Sequence, residues 1–313
     1  MKCLVTGGAG FIGSNLVQAL VGRGEDVTVL DSLATGHRSN LEEVADRITF
    51  IEGDLRDRDA VARAVAGTEV IWHQGAMPSV PRSIEDPVTS FEVNAGGTLN
   101  ILMAARDAGT RRVVFAASSS AYGDTPTLPK HELMPPNPLS PYAADKIHGE
   151  NLCRVFSASM GLECVGLRYF NVFGPRQRPD SAYAAVIPCF IHAVLNDERP
   201  IIYGDGTQSR DFTFIQNVIG ANLLAADAPD APGEVMNLGN GSRTSLLELL
   251  DMICAACGKT VEPVFEPPRA GDVKDSQADI TRAQTLLGFE PTVDLAGGLG
   301  HTVEWFKNSG VFS

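Results

Sequence analysis

No run of about eighteen consecutive apolar residues occurs in these 313 residues, which excludes a membrane-spanning helix. Basic residues are the minority, 25 Lys and Arg against 38 Asp and Glu. The net charge of −13 argues against a general nucleic-acid or membrane-surface binder, while leaving room for a local basic pocket around an anionic ligand. Cysteine is scarce: Cys3, Cys153, Cys164, Cys189, Cys254 and Cys257 lie scattered, mostly inside apolar segments, and suggest no disulfide framework. Cys254-Ala255-Ala256-Cys257 is a lone CxxC in a helix-like stretch with no partner pair or histidine cluster, so packing explains it better than metal or redox chemistry. No metal is expected. The stretch Met1 to Gly7 carries one charged side chain and reaches glycine too soon for a signal peptide, so a reducing, cytoplasmic location is the expectation. Repeats and low-complexity tracts are absent too.

What is present is a soluble composition, 44% hydrophobic and 20% charged, long enough for one large domain or two unequal ones. Short apolar runs predict strands at 3–6, 26–30, 48–51, 70–73, 113–116 and 165–167. Helical patterns over 12–22, 58–66, 88–108 and 142–160 fill the gaps. Strands apolar on both faces and separated by helices indicate an α/β fold with a doubly wound parallel sheet, which binds ligands beyond the carboxyl ends of its strands. After about residue 170 the pattern loosens, with Pro175, Pro179, Pro188, Pro200 and the turn Gly204-Asp205-Gly206. The expected division is a Rossmann domain over 1–168, with a return segment near 211–240. A smaller mixed α/β substrate domain then spans 169–313, partly interleaved with the first.

Val5-Thr6-Gly7-Gly8-Ala9-Gly10-Phe11-Ile12-Gly13 runs from strand into helix and fits both G-x-G-x-x-G and G-x-x-G-x-x-G. Its glycines permit a tight turn and aim a helix N-terminus at a pyrophosphate, which places Gly7, Gly10, Phe11, Ile12 and Gly13 at a dinucleotide. Asp31 ends the second strand, where a carboxylate accepts from both ribose hydroxyls and repels a 2′-phosphate, so NAD is favoured over NADP. Arg38, close by, weakens that preference slightly. Asp54 and Leu55 follow the third strand and suit the adenine side. Gln74 and Ala76 end the fourth, where small residues let a cofactor lie close.

Ser140-Pro141 is a good helix entry, and Tyr142 and Lys146 then share a face four residues apart. The ammonium is expected to stabilise the phenolate and make Tyr142 a general base near neutral pH. Alone, such a pair is common by chance. The serine run Ser118-Ser119-Ser120 after the fifth strand supplies a hydroxyl at the same sheet edge.

With these residues in order, the chain resembles the extended short-chain dehydrogenases/reductases, and within them the nucleotide-sugar epimerase branch, over essentially its whole length. The resemblance implies Ser118 as the catalytic serine, with Ser119 the fallback. It implies Tyr142 and Lys146 as the YxxxK pair, both also at the cofactor with Lys146 holding the nicotinamide ribose, and Asn94 in Val93-Asn94-Ala95-Gly96 as the asparagine near the cofactor. Arg168-Tyr169-Phe170-Asn171-Val172-Phe173-Gly174-Pro175 is similar to the family's RYFNVYGP segment, placing Asn171 on a sugar diphosphate. Tyr203-Gly204-Asp205-Gly206 with Arg210-Asp211-Phe212, and Arg269-Ala270-Gly271-Asp272, are similar to its nucleotide-binding segments. They imply Tyr203 and Arg210 at the nucleotide, Arg269 on the diphosphate and Asp272 on the uridine ribose.

The implied reaction is NAD-dependent 4-epimerisation of a UDP-sugar through transient oxidation at C4, rotation of the keto sugar and re-reduction. Dehydratases and decarboxylases of the superfamily carry acids just after the catalytic Ser/Thr, where this chain has Ser119 and Ser120. Ser276 falls at a position whose bulk varies beside the sugar C2 substituent, so UDP-Glc/UDP-Gal and UDP-GlcNAc/UDP-GalNAc are both expected substrates. The run Tyr183 to Pro188 resembles members that accept N-acetylhexosamines. Gln177-Arg178-Pro179-Asp180 resembles UDP-glucuronate 4-epimerases, in which Arg178 would meet a carboxylate, although those tend to have threonine where Asn171 stands. A keto-sugar oxidoreductase and a non-enzymatic scaffold on the same fold are the other readings. The family also implies a homodimer through helices 88–108 and 142–160.

Overall fold

The computed structural model describes residues 1–179, 185–268 and 273–309. Six strands, β1 (Lys2–Thr6), β2 (Asp26–Asp31), β3 (Ile48–Glu52), β4 (Val70–His73), β5 (Arg112–Ser118) and β6 (Glu163–Tyr169), form one parallel sheet with the later strand Val235–Leu238. From one edge the order is β3-β2-β1-β4-β5-β6 and then Val235–Leu238. Strand order reverses between β1 and β4, and a crevice opens there beyond the carboxyl ends.

Alternate residues of each strand feed two different cores, which is why the strands read as apolar on both faces. In β1, Cys3 and Val5 join one cluster while Leu4 joins the other; in β5, Val114 and Ala116 oppose Val113, Phe115 and Ala117. Each such fully buried Val, Leu or Ile stabilises the fold by about 1.5–3 kcal/mol. Helix α1 (Phe11–Gly22) and the helix Ile215–Asp227 cover the first face, while α2 (Arg58–Val65) contributes Ala60, Val61, Ala64 and Val65 to the second.

The helix expected over 88–108 is continuous from 87 to 108 but carries a π turn inside it. Short helices α3 (Val80–Glu85) and α4 (Pro87–Phe91) lead into a π turn, Glu92–Gly96, and only then α5 (Gly97–Ala108). Ser79 and Asp86 cap the two short helices by accepting backbone N–H bonds. The π turn inserts a residue, a geometry without a signature in hydrophobic spacing and frequent at functional sites. Gly97 is demanded by contact, since a Cβ there would lie 2.7 Å from Leu55 Cβ.

Helix α6 (Pro141–Ser159) is capped by Ser140, whose hydroxyl accepts Ala143 N–H at 3.2 Å, with Pro141 in the first turn. Beyond β6 come short strand pairs: Val172–Phe173 with Thr213–Phe214, Ile201–Tyr203 with Val264–Glu266, and Ser209–Arg210 with Thr244–Ser245. Cys254 and Cys257 lie on the helix Leu246–Cys257 as free thiols.

Candidate active site

The glycine loop after β1 is shaped by contacts that no side chain could share. Gly7 has φ +65°, and a Cβ on it would stand 2.7 Å from Gly75 Cα. A Cβ on Gly13 would stand 2.1 Å from Gly7 O. Helix α1 therefore starts flush against the loop, and no side chain caps its N-terminus. Its first N–H groups, at Phe11, Ile12 and Gly13, are donors without intrahelical partners and favour an anion. This bare cradle, with a carboxylate beyond it, fits a dinucleotide pyrophosphate and ribose.

That carboxylate is Asp31, 7% exposed. It accepts Ala9 N–H at 2.9 Å and Leu33 N–H at 2.8 Å, one on each oxygen, so each keeps a lone pair for a ribose hydroxyl. Burial raises its pKa, and these two backbone bonds oppose the rise. Arg38 does not reach it: the guanidinium pairs with Glu52 at 2.9 Å and lies 4.2 Å over the Phe50 ring. Asp54 is held by Arg56 at 2.8 Å, which keeps its carboxyl below the usual range, and the adjoining Leu55 carbonyl accepts from Asn100. Gln74 bonds Asn222 and receives the Tyr169 hydroxyl, which ties it to the sheet edge, with half-buried Ala76 two residues on. Asn94 in the π turn accepts Met77 N–H at 2.7 Å, fixing the loop that follows β4.

A network absent from the sequence expectations underlies this edge. His73 Nδ1 meets Thr6 Oγ1 at 2.7 Å and Nε2 meets Thr98 Oγ1 at 3.0 Å, while Thr6 Oγ1 also accepts Gly75 N–H at 3.0 Å. Burial, and then the Lys146 charge, push the imidazole down to about 3, so it is neutral and structural at any working pH. Only its place at the end of a strand hinted at this role.

Ser118, at the end of β5, and Tyr142, in the first turn of α6, face one cavity of about 580 Å³. Ser118 also accepts from the Ser120 hydroxyl at 2.9 Å. Lys146, 4% exposed, lies one helical turn beyond Tyr142, and its Nζ donates to Ala116 O at 2.8 Å, 5.8 Å from the Tyr142 ring centroid. The expected acidification of Tyr142 by this lysine is corrected here. The phenol sits at the cavity wall, and burial raises its pKa, only partly offset by the Ser118 hydroxyl. Burial also depresses Lys146, to about 8, against the pull of Asp145 and Glu150. Spacing placed the two groups on one face; it did not reveal that the ammonium turns to a strand carbonyl.

The same cavity is lined by Asn171, Tyr203, Arg210 and Ser276. Asn171 Nδ2 donates to Ser276 Oγ at 3.2 Å and to Asp211 O at 3.0 Å, joining two residues more than a hundred positions apart. Buried Asp211 accepts the N–H groups of Asn240, Gly241 and Ala278, which holds both segments together. Arg210 is braced by the carbonyls of Ser209 and Lys274. Arg178 is half-buried and is not among the lining residues, whereas Gln177 is. Lining residues Val80, Lys130, Phe190 and Gln208 carried no signal in the sequence. Arg269, Asp272 and Tyr183 lie outside the described residues.

A model of the NAD-dependent epimerase/dehydratase family matches residues 3–239. The chain belongs to this family. A UDP-glucose 4-epimerase of Mycolicibacterium smegmatis is 42% identical over 98% of the chain and 99% of its own length. A UDP-N-acetylglucosamine 4-epimerase of Methanobrevibacter ruminantium, solved with UDP-N-acetylmuramic acid, superposes with TM-score 0.94 at 38% identity, covering 98% of each chain. A UDP-glucuronic acid 4-epimerase of Bacillus cereus, solved with UDP-glucuronic acid and NAD, gives 0.91 at 34% identity, covering 99% of this chain and all of that one. As a member of the NAD-dependent epimerase/dehydratase family the chain is an enzyme, and NAD is its cofactor. Among the described residues, no helix is long and apolar enough to cross a membrane.

Proposed function

We propose that the chain is a UDP-sugar 4-epimerase acting on UDP-Glc/UDP-Gal, UDP-GlcNAc/UDP-GalNAc or both. The reading rests on one observation: Ser118, at the end of a strand of the sheet whose first strand leads into the glycine cradle, and Tyr142 face the cavity that also holds Asn171, Arg210 and Ser276. Gly7, Gly10, Phe11, Ile12 and Gly13 bind the pyrophosphate of NAD, Asp31 the adenosine ribose, Asp54 and Leu55 the adenine side, and Gln74, Ala76, Asn94 and Lys146 the nicotinamide half. NAD held by these residues would supply the acceptor and donor of hydride at the sugar C4 and a positive charge beside it.

Tyr142 holds and returns the C4 hydroxyl proton, with Ser118 bonded to both the phenol and the sugar. Since burial raises the phenol in the cofactor-free molecule, Tyr142 is a proton donor there and becomes a base only as positive charge gathers beside it. Lys146, bonded to the Ala116 carbonyl, holds the nicotinamide ribose rather than the phenol. Arg210 binds the diphosphate, while Tyr203 borders the nucleotide. Arg269 and Asp272 complete the UDP contacts in this reading. Asn171 orients the sugar, and the short Ser276 side chain leaves room at C2 for an N-acetyl group.

Arg178 belongs to a second reading, UDP-glucuronate epimerisation, which the Bacillus cereus relative favours. The position of Arg178 off the cavity lining favours uncharged hexoses. A cytoplasmic homodimer completes the proposal, since Ile84, Val88, Phe91 and Val155 expose 61, 66, 56 and 51% of their surface on α3, α4 and α6.

The test is to incubate purified protein, without added NAD, with UDP-Glc, UDP-GlcNAc and UDP-GlcA and read products by NMR. The expected result is the 4-epimer of one or both uncharged sugars. Epimer from UDP-GlcA alone would establish the second reading, and none from any sugar would leave a keto-sugar oxidoreductase.

A further inference from the structure

The segment 171–177 supplies four residues to the cavity: Asn171, Val172, Phe173 and Gln177. Among the described residues its strand pairing is confined to Val172 and Phe173, against Thr213 and Phe214. Its backbone is also strained, since Asn171 at φ +30° and Arg176 at φ +71° are non-glycine residues in the left-handed region. Such conformations persist only where the surroundings hold them.

The far end of the segment is held by a side chain of α1, the helix that starts at the glycine loop. Asn15 Nδ2 donates to Pro175 O at 3.1 Å and to Phe11 O at 2.9 Å, and Asn15 Oδ1 accepts Arg176 Nη1 at 3.1 Å. A carbonyl can meet only the amide nitrogen, and a guanidinium only the amide oxygen. These bonds therefore fix the amide in one orientation and engage both of its N–H groups. The Arg176 side chain, 14% accessible, reaches on to Glu43 at 3.4 Å, and Glu43 also accepts Gln18 Nε2 at 3.0 Å. Pro175 and Arg176 are thus gripped from α1 and from the helical turns Arg38–Arg47. Gln177 carries the grip inward: its N–H donates to Gly174 O at 3.2 Å and its Nε2 to Val172 O at 3.0 Å.

We propose that Asn15 and Arg176 are positioning residues that clamp segment 171–177 onto α1 and so set where Asn171 and Gln177 stand in the cavity. A side chain on the helix of the cofactor cradle thereby acts on the sugar side. Ser118 and Tyr142 are carried by β5 and α6, to which neither Asn15 nor Arg176 is bonded. Loss of the clamp therefore weakens substrate binding and leaves the chemical step in place. The consequence for substrate rests on the proposed 4-epimerase; the consequence for the backbone of the segment does not.

The experiment joins hydrogen exchange, read by mass spectrometry, with steady-state kinetics in the full chain carrying NAD. In Asn15→Ala and in Arg176→Ala, peptides covering 171–177 are expected to exchange about tenfold faster than in the wild type, the loss expected for one or two hydrogen bonds. KM for the UDP-sugar is expected to rise about tenfold, with kcat and NAD content within about twofold of the wild type. Arg176→Gly adopts φ +71° without strain and is expected to exchange at least as fast as Arg176→Ala, which it replaces should the alanine variant fold poorly. The double variant is expected to exceed the larger single effect by no more than about threefold, because both substitutions break one contact. Wild-type exchange of the segment in both alanine variants overturns the proposal. So does wild-type exchange in Arg176→Gly, since the side chain would then hold nothing. Loss of NAD in step with the rise in KM overturns it as well, by making Asn15 part of the cradle. Exchange decides the clamp even where no UDP-sugar is turned over, an outcome that would remove the epimerase reading instead.

Discussion

In the proposed function, the wall that takes the cofactor and the wall that takes the sugar are made of different material. The cofactor wall is backbone: a contiguous run from Gly7 to Gly13, the N-terminus of α1, and strand ends tied together by Thr6 and His73. The sugar wall is side chain, contributed by Ser118, Tyr142, Asn171, Arg210 and Ser276 from segments far apart in sequence. Backbone geometry follows from the fold and leaves no room for a Cβ at Gly7 or Gly13, whereas side chains can be exchanged one at a time. That difference agrees with three relatives of 34–42% identity that are named for three different sugars.

The broadest expected effect, on cofactor and activity together, comes from breaking the backbone wall. In Gly13→Ala the new methyl would stand 2.1 Å from Gly7 O, a backbone atom that cannot yield without moving the loop. Overpacking of this kind costs about 1–3 kcal/mol. The protein is expected to fold but to purify without NAD. Added NAD should bind about a hundredfold more weakly, or roughly 2.7 kcal/mol, measured by calorimetry. Retention of wild-type NAD content would mean that the cradle does not hold the pyrophosphate.

Tyr142→Phe comes next and attacks the point where the walls meet. Loss of a general acid–base typically costs about 10²–10⁴ in rate. NAD content should be unchanged, because the phenol hydroxyl takes no part in the cradle. A parallel loss of cofactor would show that the phenol belongs to the cofactor wall instead.

The same contrast governs what could be read from the sequence. The β1 strand, glycine loop, α1 and Asp31 were legible because each is a local pattern: apolar run, glycine spacing, helix start, terminal acid. The π turn at Glu92–Gly96 was not, since one inserted residue leaves the apolar pattern of a long helix nearly intact. Tyr142 and Lys146 were legible as a pair, but the direction of the Lys146 ammonium depends on Ala116 O, a strand atom that helix spacing says nothing about. On the sugar wall, the bond between Asn171 and Ser276 was invisible, because long-range contacts through Asp211 create it.

Ser276→Tyr sharpens the comparison on the side-chain wall. Asn171 keeps its bond to Asp211 O when the serine acceptor is lost, so the wall itself stays in place. The larger ring should exclude the N-acetyl group and lower kcat/KM for UDP-GlcNAc about tenfold or more relative to UDP-Glc, within the range of about 1–3 kcal/mol for steric discrimination in a pocket. NAD content should not change. Equal losses on both sugars would place Ser276 away from the C2 substituent.

Arg38→Ala is expected to do least, and for that reason tests how far the backbone account of the cofactor wall extends. Arg38 and Glu52 form an exposed pair, with side chains 61 and 60% accessible, and such pairs contribute about 0–1 kcal/mol. The guanidinium leans on Phe50 and away from Asp31, whose two oxygens are anchored by Ala9 and Leu33. A Cβ on Gly36 would lie 2.9 Å from Asp31 Oδ1, so chain, not side chain, encloses this carboxylate. Removing Arg38 should therefore leave NAD affinity within about twofold, or roughly 0.4 kcal/mol, and leave the preference over NADP intact. A loss of residual NADP binding in the variant would show that Arg38 swings from Glu52 to a 2′-phosphate, so that this corner of the cofactor wall, like the sugar wall, is decided by a single movable side chain.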